Sequence, residues 1–192
     1  MLILIKNQNE QIINSMITKA PMKISNIVAT VTLKERLDIA YLHQNIKDTI
    51  RDPKVHWLKY RIPKDNSYIA FYQSGKFLIT AKSMEQVNEN ANYILSILDK
   101  IGICTKDWKL AIHNIVIVDS IGIGCIIETL VTNMDAKKAS FEPEQFPALI
   151  YKDWGVNFLL FSSGKIVMTG IKSIEQAQEA SKKFKQLLTD LM

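Results

Sequence analysis

The sequence predicts an α+β protein made of two pseudo-symmetric repeats, each an antiparallel sheet with helices on one face. Three short segments of the first half return in the second half, in the same order and at offsets of 88, 89 and 90 residues. The pairs are Asn-Ile-Val at 26–28 and 114–116, Ser-Gly-Lys at 74–76 and 163–165, and Ser-Met-Glu-Gln at 83–86 with Ser-Ile-Glu-Gln at 173–176. We therefore divide the chain into an N-terminal extension (residues 1–22), a first repeat (23–104) and a second repeat (105–192).

A strand opens each repeat. Residues 24–33 and 110–118 are rich in Ile, Val and Thr, residue types that fit a pleated, half-buried surface. The apolar spacing then changes to that of a helix, over residues 37–50 and 126–134. Extended segments follow at 55–62, 67–72 and 77–80 in the first repeat, and at 148–151, 156–161 and 166–169 in the second.

A tight hairpin and a long helix close each repeat. The Ser-Gly pairs at 74–75 and 163–164 suit hairpins, because glycine adopts positive φ at little steric cost. The Ser-x-x-Gln segments at 83–86 and 173–176 predict capping boxes, whose side chains satisfy free N–H groups of the first turn. The apolar stripe of each helix predicts packing on one face of the sheet. Since the other face is also apolar at alternate positions, we expect it to bind a ligand.

Composition and charge exclude several classes of protein. The chain of 192 residues is 47% apolar, and its 24 basic and 19 acidic side chains give a net charge of +5, which favours a polyanionic partner. The surplus lies in the first 104 residues, with 14 basic and 9 acidic side chains, against ten of each in the rest. No uncharged run approaches the roughly 20 residues of a membrane-spanning helix, and the apolar start at 1–5 is too short for a signal peptide. We expect an intracellular protein with no membrane partner.

No pattern of catalytic or metal-binding residues is visible. Cys104 and Cys125 lack a CxxC or His pairing, so we expect two small buried side chains and neither a zinc site nor a disulfide framework. His43, His56 and His113 have no Cys or carboxylate partner at a catalytic spacing. Phosphate-binding loops, a nucleophile elbow and an HExxH helix are missing from the sequence. We expect no enzymatic activity, no cofactor and no small-molecule substrate.

Several of these segments together resemble one known family, the TATA-box-binding proteins. They are NIVATVTL at 26–33, FEPEQFP at 141–147, LIY at 149–151 and LFSSGKIVMTG at 160–170, within a resemblance that spans residues 24–192. The resemblance implies a saddle-shaped, curved antiparallel sheet with helices on its convex face. It also implies a general transcription factor that binds and bends A·T-rich TATA promoter DNA through the minor groove, for which this family is a standard example. The implied partners are double-stranded DNA, transcription factor B and RNA polymerase.

The resemblance assigns base contacts to matching positions of the two repeats. Asn26 and Asn114 correspond to amides that meet the central base pairs, and Val28 and Val116 to apolar base contacts. In the minor groove an A·T pair offers only acceptors whereas a G·C pair adds an amine, so an apolar surface with few amides favours A·T. Further matching contacts are Leu78, Thr80, Val167, Thr169 and Leu159.

The resemblance also assigns wedges, phosphate contacts and a protein contact. Phe146 and Phe161 correspond to two phenylalanines that pry open a base step. The corresponding positions in the first repeat fall on Val55 or its neighbour His56, and on Tyr72, with Phe71 adjacent. The matching phosphate contacts are Arg61, Lys76, Lys152 and Lys165. The matching contacts to transcription factor B are Glu142 and Glu144.

The first repeat departs most from the family pattern. Neither of its wedges is clearly retained, Ala81 stands where a glycine usually follows Thr80, and Ala148 and Lys152 replace a Gly and an Arg in the second repeat. These departures leave an alternative open: a divergent paralogue with weakened DNA bending that acts mainly as a protein-interaction module. The site of action is the cytoplasm and nucleoid if the source is archaeal, and the nucleus if it is eukaryotic.

Overall fold

The computed structural model describes residues 22–192; residues 1–21, nearly all of the predicted N-terminal extension at 1–22, lie outside the described part. Residue contacts divide the chain into two compact units, Asn26–Asn114 and Ile115–Met192, and residues 22–25 group with the second unit. The repeat boundaries at 23–104 and 105–192 stay a prediction.

The first repeat contains five strands and two helices. They are β1 (Lys23–Leu33), α1 (Ile39–Asn45), β2 (Ile50–Arg51), β3 (Trp57–Arg61), β4 (Tyr68–Tyr72), β5 (Lys76–Ala81) and α2 (Met84–Lys100). The strands lie in the order β2-β3-β4-β5-β1, and each neighbouring pair is antiparallel. The predicted opening strand and the three predicted extended segments are therefore confirmed as β1, β3, β4 and β5.

The second repeat has the same order of elements. They are β6 (Trp108–Ser120), α3 (Ile127–Thr132), β7 (Ala139–Ser140), β8 (Ala148–Asp153), β9 (Val156–Phe161), β10 (Lys165–Ile171) and α4 (Ile174–Leu191). The strands lie in the order β6-β10-β9-β8-β7, again antiparallel throughout. The α+β class and the pseudo-symmetric repeat predicted from the sequence are confirmed.

The helix predicted over residues 37–50 is shorter in the structure. The Asp38 carboxylate caps α1 by accepting two backbone N–H groups of the first turn, at 2.8 and 3.1 Å. The helix ends at Asn45 because the backbone of Ile46 is extended, and Ile50 already pairs with β3 in the edge strand β2. Tertiary pairing therefore overrides the apolar spacing in the last turn of the predicted helix.

Both predicted Ser-x-x-Gln segments cap their helices, but each Gln side chain bonds the residue before the N-cap serine and not the serine itself. The Ser83 hydroxyl accepts the N–H of Gln86 at 3.1 Å, and the Gln86 side chain accepts the N–H of Lys82 at 2.7 Å. Ser173 and Gln176 make the two equivalent bonds at 3.2 and 3.0 Å. The serine bonds satisfy an N–H group that the first turn leaves free, and the glutamine bonds tie the preceding residue to the helix, so α2 and α4 begin at equivalent residues.

Alternate strand residues face the helices and form the core of each repeat. In the first repeat, Phe71 and Phe77 are fully buried on this side with ring centroids 5.8 Å apart, and α2 packs over them. In the second repeat, the Phe184 ring of α4 stacks on Phe158 at 4.3 Å and on Tyr151 at 5.3 Å. The remaining strand residues point to the opposite face of the sheet, which we call the open face of each repeat.

The core of the second repeat contains one buried charged cluster. Asp119 on β6 is 3% exposed, and its carboxylate accepts hydrogen bonds from Ser181 Oγ at 2.6 Å and Lys185 Nζ at 2.9 Å, both on α4. The backbone N–H of Ser120 donates a third bond at 2.8 Å. The equivalent residues of the first repeat are all apolar and buried: Val31, Ala91 and Leu95. The second repeat thus holds an ion pair where the first holds hydrocarbon.

The two repeats differ in strand pairing at the position where the first repeat has Ala81 and the second has Gly170. In the second repeat, Gly170 has φ +82°, and the pairing of β10 with β6 shifts register between Met168 and Ile171. In the first repeat, the pairing of β5 with β1 continues without a shift through Ala81 opposite Ile27. Alanine suffices there because the regular ladder needs no positive φ.

Candidate nucleic-acid interface

The open face of the first repeat carries the predicted base contacts side by side. Thr80 on β5 lies opposite Val28 on β1, and Leu78 lies opposite Thr30 on one side and Ala70 on the other. Asn26 is on the same side of β1 as Val28, because strand residues two apart share a face. The side chains of all four predicted contacts are partly exposed, whereas the residue that follows each of them in the strand faces the core and is buried.

The second repeat presents an equivalent and more apolar surface. Val167 on β10 lies opposite Val118 on β6 and opposite Leu159 on β9. Thr169 lies opposite Asn157. The predicted contacts Asn114 and Val116 occupy alternate positions of β6 and are partly exposed, as are Leu159, Val167 and Thr169. The structure therefore gathers the predicted base contacts of each repeat on its open face.

The two predicted wedge residues of the second repeat are in contact. The rings of Phe146 and Phe161 pack edge to face, with centroids 6.2 Å apart, and the Phe146 side chain is 39% exposed. Lys165 Nζ lies 5.9 Å from the centroid of the Phe161 ring. An aromatic pair with one exposed ring, one partly exposed ring and a cation beside it suits contact with a base step and its phosphates.

The wedge candidates of the first repeat differ in where their side chains lie. Phe71 is fully buried on the core side of β4, whereas Tyr72 lies on the open face. Val55 is partly buried and has no ring, and His56 is exposed. Of the residues at these positions, Tyr72 alone offers an aromatic ring on the open face.

Sequence reasoning missed an aromatic residue beside Tyr72. Trp57 on β3 lies directly opposite Tyr72 on β4, with ring centroids 6.0 Å apart. Counting back by two along the strand from Arg61, which was predicted, gives Lys59 and then Trp57 on the same face. That alternation was the signal that could have identified Trp57.

The predicted basic residues are exposed, at or near the edges of the two open faces. Lys76 and Lys165 each begin a strand after a hairpin glycine, and Lys152 lies on β8. Arg61 donates to the backbone carbonyl of Asn66 at 3.0 Å, and its guanidinium carbon lies 5.6 Å from the centroid of the Tyr68 ring. All four cations remain accessible to phosphate oxygens.

Two acidic residues are displayed on the loop before β8. Glu142 and Glu144 are exposed, and the Glu142 carbonyl accepts the N–H groups of Gln145 and Phe146, each at 2.9 Å. Both acidic residues are therefore exposed in the same turn that carries Phe146. The surface is suited to a partner with basic side chains.

The structure corrects one expectation about the cysteines. Cys104 is exposed because it lies in the connection between α2 and β6, while Cys125 is partly buried, and both are free thiols. Burial raises the pKa of the Cys125 thiol above its usual value. Within residues 22–192, no three His, Cys, Asp or Glu side chains cluster as metal ligands. Among those same residues, no helix has the length and apolarity needed to cross a membrane.

Comparisons with known proteins agree on one family. The family model described as transcription factor TFIID (or TATA-binding protein, TBP) matches residues 21–101 and 109–191. A TATA-box-binding protein of Sulfurisphaera tokodaii is 37% identical over 187 residues, covering 90% of this chain and 89% of that protein. One of Archaeoglobus fulgidus is 31% identical over 175 residues, covering 88% and 96%. The solved structure of Methanococcus jannaschii TBP superposes with a TM-score of 0.80 at 28% identity, covering 88% of this chain and 98% of that one.

Proposed function

The chain belongs to the TATA-binding protein family, and on that premise we propose that it is a general transcription factor which binds and bends A·T-rich promoter DNA through the minor groove. One observation carries the proposal. The open face of each repeat gathers amide, valine and threonine side chains, and in the second repeat it ends at the aromatic pair of the exposed Phe146 and the partly exposed Phe161. We propose that this surface lies on the minor groove.

The chemistry of the open face matches the minor groove of A·T pairs. Asn26 and Asn114 supply side-chain N–H donors, and A·T edges present only the acceptors N3 and O2. Val28 and Val116 supply apolar contact that leaves no room for the protruding amine of guanine. Specificity also comes from deformation, because pyrimidine-purine steps such as TA unstack at low cost.

Asn114→Ala is expected to reduce the preference for TATA DNA over a site with central G·C pairs by about tenfold, since one good base contact contributes roughly 1–3 kcal/mol of discrimination. Paired anisotropy titrations with the two duplexes measure that ratio. Asn92→Ala is the matched control, because Asn92 is exposed on α2 and away from the open face. An unchanged ratio for Asn114→Ala would remove this residue from the readout.

Phosphate contacts are proposed for Arg61, Lys76, Lys152 and Lys165. Each cation that neutralises a phosphate releases a condensed counterion, which makes affinity fall with salt. These contacts fix the position of the protein on the duplex without reading sequence. The basic surplus of the first 104 residues adds to this attraction.

Lys165→Ala is expected to weaken binding to TATA and scrambled duplexes equally and to lower the slope of log affinity against log salt by about one. Titrations between low and moderate salt give the slope. Lys183→Ala serves as the control, because Lys183 pairs with Glu179 on α4, at 2.6 Å, and lies away from the open face. A Lys165→Ala slope equal to that of Lys183→Ala would refute the phosphate contact.

We propose further that Glu142 and Glu144 bind transcription factor B, which then brings RNA polymerase to the promoter. Their exposure beside Phe146 supports this, since a partner there can contact protein and bent DNA together. Because the similar proteins reported above come from archaea, we place this activity in the cytoplasm, at the nucleoid.

A second candidate function is a paralogue that bends DNA weakly and acts mainly as a protein-interaction module. The observation in its favour is Val55, an aliphatic residue at the position equivalent to Phe146. A competition experiment between TATA duplex and a protein ligand distinguishes the two functions. The duplex would displace a protein ligand of the open face only if both bind the same surface. Failure of the free protein to select TATA over scrambled DNA would favour the module.

A further inference from the structure

The open face of the first repeat carries an aromatic pair, Trp57 and Tyr72, in which one ring lies two residues later in the sequence than in the pair of the second repeat. In the second repeat, Ala148 lies opposite Phe161, and the partner ring belongs to Phe146, two residues earlier in the loop. In the first repeat, Trp57 itself lies opposite Tyr72. Its position corresponds to Ala148, and Val55 occupies the position of Phe146. A displacement of two residues keeps the side chain on the same face of a strand.

The displaced pair has the dimensions of the pair that it would replace. The centroids of Trp57 and Tyr72 are 6.0 Å apart, against 6.2 Å for Phe146 and Phe161. Trp57 and Tyr72 are both partly exposed, so ring surface remains available to a ligand. A contribution to the core is excluded for both rings, because the core side of β4 and β3 is formed by their fully buried neighbours Phe71 and Leu58.

The polar atom of the indole already has a partner within the protein. Trp57 Nε1 donates to the Tyr68 hydroxyl at 3.0 Å. A ring that enters a base stack with an unpaired N–H would lose hydration without compensation. Since this bond is made on the open face itself, the indole can be covered by bases at no such cost.

A cation lies beside the pair, as one lies beside the wedge of the second repeat. Lys76 lies opposite Tyr72 across β4 and β5, and the Arg61 guanidinium lies over the Tyr68 ring. In the second repeat, Lys165 lies near Phe161. An aromatic pair with a basic side chain beside it suits contact with a DNA base step and its phosphates.

We propose that Trp57 and Tyr72 together form the wedge of the first repeat, and that the indole takes the place of the ring missing at Val55. This inference rests on the proposed function, because its ligand is a base step of the bound duplex. Trp57 belongs to a paired strand, whereas Phe146 belongs to a loop, so the indole is held in position before DNA binds. DNA is therefore kinked at both ends of the element despite the aliphatic Val55.

The test uses a TATA duplex with 2-aminopurine at both terminal steps, since this base brightens when it is unstacked. Counting both ends makes the result independent of the direction in which the protein binds. Trp57→Val keeps an apolar, strand-forming residue without a ring. We expect Trp57→Val and Phe146→Ala each to lose about half of the wild-type fluorescence increase and to weaken binding about tenfold, and the double variant to lose nearly all of the increase.

Two further variants separate wedging from a structural role. Trp57→Phe is expected to keep most of the fluorescence increase. Trp57→Val combined with Val55→Phe returns the ring to the loop position and is expected to restore the increase, which a purely structural role of Trp57 would not allow. Thermal unfolding confirms that each variant is folded.

The inference is overturned if Trp57→Val leaves the increase unchanged while Phe146→Ala abolishes it, because only one end would then be wedged. It is also overturned if the Val55→Phe combination fails to restore a signal lost in folded Trp57→Val. Failure of the proposed function gives a different result. The wild-type protein would then neither bind the TATA duplex selectively nor raise its fluorescence.

Discussion

Phe161→Ala is expected to weaken TATA binding by about tenfold to a hundredfold and to reduce the bend of the bound duplex, while the protein stays folded. Stacking of an aromatic ring on a base contributes roughly 1–3 kcal/mol, and the ring also props open the kinked step. Phe161 packs edge to face on Phe146, so its loss also leaves the second ring without support. Anisotropy measures the affinity, and energy transfer between the duplex ends measures the bend.

The matched control for Phe161→Ala is Tyr93→Ala. Tyr93 is a 41% exposed aromatic residue on α2, where its hydroxyl lies 3.5 Å from that of Tyr60, away from the open face. We expect this variant to bind and bend DNA like the wild type. Normal affinity and bending by Phe161→Ala would mean that the second repeat does not wedge its base step through this ring.

Lys185→Met is expected to destabilise the protein by about 3–5 kcal/mol, because removing one partner leaves a buried charge uncompensated. The Lys185 side chain is 13% exposed and the Asp119 side chain is fully buried, with Nζ and Oδ1 2.9 Å apart. Methionine retains the aliphatic length of lysine, so the lost ion pair accounts for the effect. Urea unfolding followed by circular dichroism gives the difference in free energy of unfolding.

Replacing the Asp119 cluster by the equivalent apolar residues of the first repeat is expected to restore the free energy of unfolding that Lys185→Met loses. The triple variant Asp119→Val, Ser181→Ala, Lys185→Leu carries the residues found at the equivalent positions Val31, Ala91 and Leu95. Replacing a buried ion pair by packed hydrocarbon is commonly neutral or stabilising by about 1–4 kcal/mol. A triple variant as unstable as Lys185→Met would show that packing, and not the unpaired charge, causes the loss.

Local sequence patterns predicted most of the fold because the chain encodes each element twice, once in each repeat. The helix caps at Ser83 and Ser173 and the alternating strands rely on neighbours within a few residues, which a sequence displays directly. The edge strands β2 and β7 were missed because two residues are too few to show alternation. The partners of Asp119 lie 62 and 66 residues away in sequence, so its buried cluster had no local signal.

The predicted site residues came from matching positions with a family, and that approach determined what was missed. It selected Asn26, Asn114 and Phe161 as candidates because family and chain carry the same residue there. It assigned the first-repeat wedge position to Val55, which has no ring, and did not consider Trp57, which lies two positions later. Only the pairing of β3 with β4 shows that Trp57 and Tyr72 are opposite each other.

The measurement that tests the central claim most directly is a titration of end-labelled TATA and scrambled duplexes, with affinity read by anisotropy and bending by energy transfer, across a salt series. We predict binding that is selective for TATA, a shortened end-to-end distance in the complex, and affinity that falls with salt. Equal, unbent binding to both duplexes would contradict the proposal that the open faces read and deform the minor groove.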